Sequence, residues 1–209
     1  VNYFTPRHFT GAVPRCPRCV RPPSPTMRVL LLFLPLFAFL CRPACAQPTA
    51  EALANLPTGR LAPGAAAAGA LGDEVAGDAR VFVVGGAEDA ASFGDTLEVY
   101  EPASNTWQTR RPMPTARRDA FAVLLLGRLH VLGGWASADL YLPTLEVYTP
   151  SNDSWSTAAP MPTGRNSLAA VVLDGALYAV GGWEANEQFS RVLEVYSPLD
   201  NTWTSGTPM

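Results

Sequence analysis

The 209-residue chain is 48% hydrophobic and 16% charged, has no lysine, and sets 15 arginines against 18 acids for a formal net charge of −3. Six of those arginines precede residue 47 and every acid follows it, so from Gln47 onward nine arginines face eighteen acids, a net charge near −9. Nucleic acids and anionic membranes both need clustered cations, so this balance excludes them as partners.

Residues 1–26 are rich in proline and arginine, lack methionine and show no apolar periodicity, which reads as sequence upstream of a start at Met27. Cys16-Pro-Arg-Cys19 has metal or redox spacing, but one C-x-x-C without a second pair carries little weight. Met27-Arg28, the apolar run Val29 to Leu40 and the small residues of Ala44-Cys45-Ala46 are the parts of a secretory signal peptide over 27–46. The run falls short of the roughly 20 residues a membrane span needs. Export, cleavage after Ala46 and a linker over 47–57 are expected, so no stable membrane span remains. All four cysteines (16, 19, 41 and 45) lie in the removed part, leaving no disulfide and no thiol nucleophile.

Residues 58–209 repeat at an offset of 48. Double glycines stand at Gly85-Gly86, Gly133-Gly134 and Gly181-Gly182, and Leu-Glu-Val-Tyr at 97–100, 145–148 and 193–196. Tryptophan follows at Trp107, Trp155 and Trp203, and Pro-Met at 112–113, 160–161 and 208–209. Such a period marks a repeat architecture, here with units at about 58–114, 115–162 and 163–209. In the third unit Leu168 to Leu173 and Ala176 to Val180 read as a hairpin about Asp174-Gly175. Strands over Val192 to Tyr196 and around Trp203 complete four. The second unit reads alike, with Phe121 to Leu126, Arg128 to Leu132, Thr144 to Tyr148 and Ser154 to Thr157. The opening arginines Arg60, Arg117 and Arg165 are 57 and then 48 apart, so nine extra residues in the first unit, including Asp73, Glu74 and Asp78, lengthen its first hairpin.

The pattern resembles the kelch repeat, whose unit is a four-stranded antiparallel blade of a β-propeller. The resemblance implies an all-β fold with three such blades of an incomplete propeller, since closed rings need at least four. A complete relative would carry six or seven units. Two three-blade chains sharing one ring is the alternative.

No catalytic residue, metal site or cofactor is expected. His130, the one histidine after residue 46, fills a strand column held by Phe82 and Tyr178 and reads as packing. Glu98, Glu146 and Glu194 recur with the scaffold, as do Tyr100, Tyr148, Tyr196 and the three repeat tryptophans. Arg60, Arg117 and Arg165 either bridge to those glutamates or offer guanidinium forks to a ligand carboxylate. Segments 87–96, 135–144 and 183–191 vary while their frames do not, and they open on one face. Trp135, Tyr141, Trp183, Glu184 and Phe189 there, with the arginines, form the candidate ligand-binding set, because aromatic faces beside carboxylates suit sugars or peptide side chains. Two functions follow: an exported, non-catalytic protein- or glycan-binding module, or an exported carbohydrate-active enzyme similar to the sialic acid mutarotases or galactose oxidases, its active site in other blades. Asn152-Asp153-Ser154 is a glycosylation sequon in a turn.

Overall fold

The computed structural model describes residues 52–68, 79–89, 91–137, 140–185 and 188–208. The residues read as an upstream segment and a signal peptide, 1–46, and the acidic residues Asp73, Glu74 and Asp78 lie outside them. None of the described residues is helical.

Three four-stranded antiparallel sheets follow one another along the chain, each with its strands in sequence order. The first comprises Gly64–Ala68, Arg80–Val84, Leu97–Glu101 and Thr106–Arg110. The second comprises Phe121–Leu125, Arg128–Leu132, Leu145–Thr149 and Ser154–Ala158. Ala169–Leu173, Ala176–Val180, Leu193–Ser197 and Thr202–Ser205 make the third. Boundaries differ from the sequence reading by a residue or so. The strand expected to reach Leu126 stops at Leu125, because Leu126 and Gly127 turn with φ of 52° and 69°. Asp174 and Gly175 do the same at 50° and 75°. Two successive positive φ angles make the type I′ turn whose twist matches a hairpin. In the first sheet the first strand ends at Ala68 and the second begins at Arg80, and the expected extra residues lie outside the described residues.

The second sheet is packed on both faces, so its inner strands are continuous buried runs, whereas the inner strands of the third alternate buried and half-buried residues. Phe82, Val84, Leu97, Val99 and Met113 pack on Ala122, Leu129, Val131 and Tyr148 of the next sheet. Leu125, Leu132, Leu145, Val147 and Met161 pack in the same way on Leu168, Leu177, Ala179 and Tyr196. The first strands of neighbouring sheets lie beside each other, which places them innermost. Small residues are required there: a Cβ added to Gly64 would sit 3.1 Å from that of Ala122. Between blades, Asp119 N–H donates to Ala62 O and Ser167 N–H donates to Asp119 O, at 3.1 and 2.9 Å. Ala62, Asp119 and Ser167 hold φ of 45°, 55° and 49°, an uncommon conformation for residues with a Cβ. The repeated strain belongs to the inner rim, where it aims these peptide groups from one blade to the next.

Candidate functional site

The second strand of each blade ends, and the first begins, on the same face, here called the loop face. Gly133 and Gly134 shape it with φ of 66° and 102°. Gly134 N–H donates to Arg165 O of the next blade at 2.9 Å, and a Cβ on Gly133 would lie 2.5 Å from that same oxygen. Glycine is therefore needed for conformation and for close approach of the neighbouring backbone.

Beneath this face each repeat arginine crosses its blade. Arg165 Nη1 donates to the carbonyls of Gly181 (2.8 Å) and Val192 (3.2 Å), while Nη2 meets Glu194 Oε2 at 2.6 Å. Arg60 likewise reaches Gly85 O, Thr96 O and the Glu98 carboxylate. Arg117 donates to Gly133 O and to Thr144 Oγ1. Its Nη2 stands 2.7 Å from Glu146 Oε2, in ion-pair contact but off the line of a hydrogen bond. Thr58, Thr115 and Thr163 donate to the other oxygen of the same three glutamates. Burial pulls the Arg117 guanidinium below its ordinary pKa, and Glu146 opposes that shift. The inclusion of Arg60, Arg117 and Arg165 in the ligand-binding set needs correction. Their side chains are 3%, 0% and 0% exposed, and the forks that would grip a ligand carboxylate already hold scaffold groups.

At the opposite end, the outer strands latch each blade to the segment before it. Trp155 Nε1 donates to Arg111 O at 2.8 Å, and Arg111 N–H donates to Asp153 Oδ1 at 3.0 Å. Trp203 and Asn201 hold Ala159 in the same two-handed way, and Trp107 and Asn105 hold Ala54. The Asx oxygen also accepts the hydroxyl of Tyr100, Tyr148 or Tyr196. Each tyrosine packs on its tryptophan with ring centroids 5.2 Å apart. One preceding residue thus has both backbone polar groups bonded to the next blade.

On the loop face the remaining candidates divide. Trp135 is half-buried: the Arg118 guanidinium lies 4.2 Å from its ring centroid, and Phe93 of the preceding blade meets it edge-on at 5.8 Å. Tyr141, half-buried, is strand-paired with Trp135. Trp183 meets Phe189 edge-on at 4.7 Å, and Phe189 is 82% exposed. Glu184 is half-buried and pairs in strand register with Arg165. Trp183 and Phe189 line a cleft of about 400 Å³ with Asn166, Ser167 and Gly182. His130 is buried, its Nδ1 3.1 Å from Arg128 O, and desolvation holds its imidazole below its ordinary pKa. Among the described residues no group of three His, Cys, Asp or Glu side chains could hold a metal ion.

Thr58, Thr115 and Thr163, the turn residues Asn105, Asp153 and Asn201, and Phe93, Arg118 and Asn166 are absent from the sequence-derived set. The threonines and turn residues do recur in register, and that recurrence was the available signal. Arg118 and Asn166 recur in position but not in type, so nothing in the sequence marks them.

Successive four-stranded antiparallel sheets, packed face to face with their first strands innermost, define a β-propeller-type repeat protein. Residues 116–162 and 164–209 each match the family described as Kelch motif. These two stretches are kelch repeats, and the first unit shares their four-stranded architecture. The chain's fold is similar to the solved structure of YjhT, with a TM-score of 0.60 at 17% identity, over 75% of this chain and 54% of that one. This chain therefore spans about half the length of that propeller, and the likeness carries the fold alone. No curated protein matches the sequence. With 163 solved chains similar to it, the architecture by itself selects no ligand. Among the described residues no helix is long and apolar enough to cross a membrane.

Proposed function

We propose that this chain is an exported, non-catalytic binding module that engages a protein or a glycan through its loop face. The observation that carries the reading is the division of labour between residues consumed in bracing the blades and residues left at the loop face. The arginine, glutamate, threonine, tyrosine and tryptophan columns are consumed in bracing each blade. Trp135, Tyr141, Trp183, Glu184 and Phe189 stand at the loop face outside those columns, in segments whose sequence differs between units, and Phe189 is held out to solvent. An exposed aromatic beside polar groups is what a binding surface offers. Export rests on the residue 27–46 pattern and predicts mature protein beginning at Gln47, which amino-terminal sequencing of secreted material tests. Binding is tested on glycan and peptide arrays with the parent and a Trp183→Ala/Phe189→Ala double variant. Retained stability with lost array binding is the expected result. Binding unchanged by the double variant would overturn the loop-face reading, and turnover of a bound sugar would favour a carbohydrate-active enzyme instead.

A further inference from the structure

Two tryptophans occupy the same place in successive blades and have different neighbours. Arg118 pairs with Trp135 through both backbone groups, and Asn166 pairs with Trp183 in the same register. Both members of each pair are displaced by 48 residues, so the two sites are structural copies. In the second blade the chain supplies its own occupant: the Arg118 guanidinium lies 4.2 Å from the Trp135 ring centroid and 5.3 Å from that of Phe93. In the third blade the shorter Asn166 stands where Arg118 would be, and the cleft of about 400 Å³ opens beside Trp183 and Phe189. Asn166 Oδ1 is buried without a hydrogen-bond partner. A buried acceptor left unpaired is costly, and a donor brought by a ligand would satisfy it.

We propose, building on the loop-face reading, that the cleft of Asn166, Ser167, Gly182, Trp183 and Phe189 docks an arginine side chain of a partner protein, its guanidinium over Trp183 as that of Arg118 lies over Trp135. The chain's charge favours such a guest. Of the nine arginines after residue 46, three are consumed in buried pairs with three glutamates, leaving 9 − 3 = 6 against 18 − 3 = 15 acids to set the surface field. A planar, weakly hydrated guanidinium stacks on indole more readily than an ammonium does. The cleft carries no cation of its own among its lining residues.

The test uses the secreted full chain and two small probes, N-acetyl-arginine amide and its uncharged isostere N-acetyl-citrulline amide, titrated while the Trp183 indole signal is followed by NMR. The arginine probe shifts that signal saturably, more weakly as salt rises, and the citrulline probe does so at least about tenfold less well. Asn166→Arg closes the site from inside and abolishes the response while the other indole signals stay in place. Arg118→Asn opens the sister site and adds a response at Trp135. Equal responses to the two probes, or a response that survives Asn166→Arg, would overturn the assignment. A neutral hexose that shifts Trp183 when the arginine probe does not would also refute it, yet would leave loop-face binding standing.

Discussion

Arg165 and Glu194 meet at 2.6 Å with side chains 0% and 1% exposed, and the same contact recurs in each blade. Burying two charges is expensive, and further hydrogen bonds offset much of that cost, although Arg165 Nε is buried without a partner. The carboxylate receives Thr163 Oγ1 on its other oxygen, at 2.8 Å, and the guanidinium also serves the Gly181 and Val192 carbonyls. Arg165→Met keeps the apolar stem but strands Glu194, so it should cost about 3–5 kcal/mol in a denaturant titration. Adding Glu194→Gln should recover part of that loss. Unchanged stability with lost array binding would move this column back into the recognition site.

The repeat period made the blades legible, because residues that serve every blade recur in every unit. Gly133-Gly134, Glu146, Trp155 and Arg117 each announced themselves in this way. The direction of the Arg117 side chain did not, since a guanidinium at the entry to a blade's first strand could turn inward or outward with the same spacing. Asp153 was hidden differently: it alternates with Asn105 and Asn201, so an identity search breaks the column although one oxygen does the same work in all three. The Trp183 cleft was legible only in half. Its aromatics were evident, but the vacancy beside them depends on Asn166 replacing Arg118, a difference that means nothing until the two sites are superposed.

Trp155 is half-buried, packs on Tyr148 and donates its indole N–H to Arg111 O. Trp155→Ala should therefore cost roughly 3 kcal/mol, at the low edge for loss of a large ring because part of it already meets solvent. Trp155→Phe keeps most of the ring and forfeits one hydrogen bond, a loss of about 1 kcal/mol. Denaturant midpoints of the two variants separate these terms, and equal losses would show that the ring contributes little beyond its N–H.

Leu126 carries an unfavourable combination. It is 69% exposed and holds φ of 52° in a turn whose counterpart in the third blade is Asp174. Leucine gains nothing from burial there and has no side-chain group to support the left-handed conformation. Leu126→Asn should raise stability by roughly 0.5–1 kcal/mol, since Asn-Gly suits a type I′ turn. A thermal melt checks it, and a lowered midpoint would mean that Leu126 makes contacts beyond its own turn.

Asp153 makes the middle latch sensitive to pH where its two counterparts are not. Its Oδ1 accepts Arg111 N–H at 3.0 Å and the Tyr148 hydroxyl at 2.8 Å, and these bonds, the backbone one foremost, hold its carboxyl below the ordinary 3.8. A carboxyl that titrates lower in the folded chain contributes stability that is present above 3.8 and lost as pH falls through its folded value. Tyr148 responds at the other extreme: burial first, then the Asp153 carboxylate, push its hydroxyl from 10.0 up to about 12. Stability from its neutral form is accordingly complete below pH 10.0 and lost as pH rises toward about 12. Asp153→Asn keeps the acceptor oxygen, as Asn105 and Asn201 do, and removes the charge. Denaturant midpoints of parent and variant, measured at a series of pH values, should draw together as the acid limb is descended, because only the parent loses this contribution. On the alkaline side Tyr148 should ionise earlier in the variant while remaining above 10.0, since burial is the larger cause and persists. Parallel acid limbs would show that the carboxylate adds nothing to the joint between the first two blades that an amide does not supply.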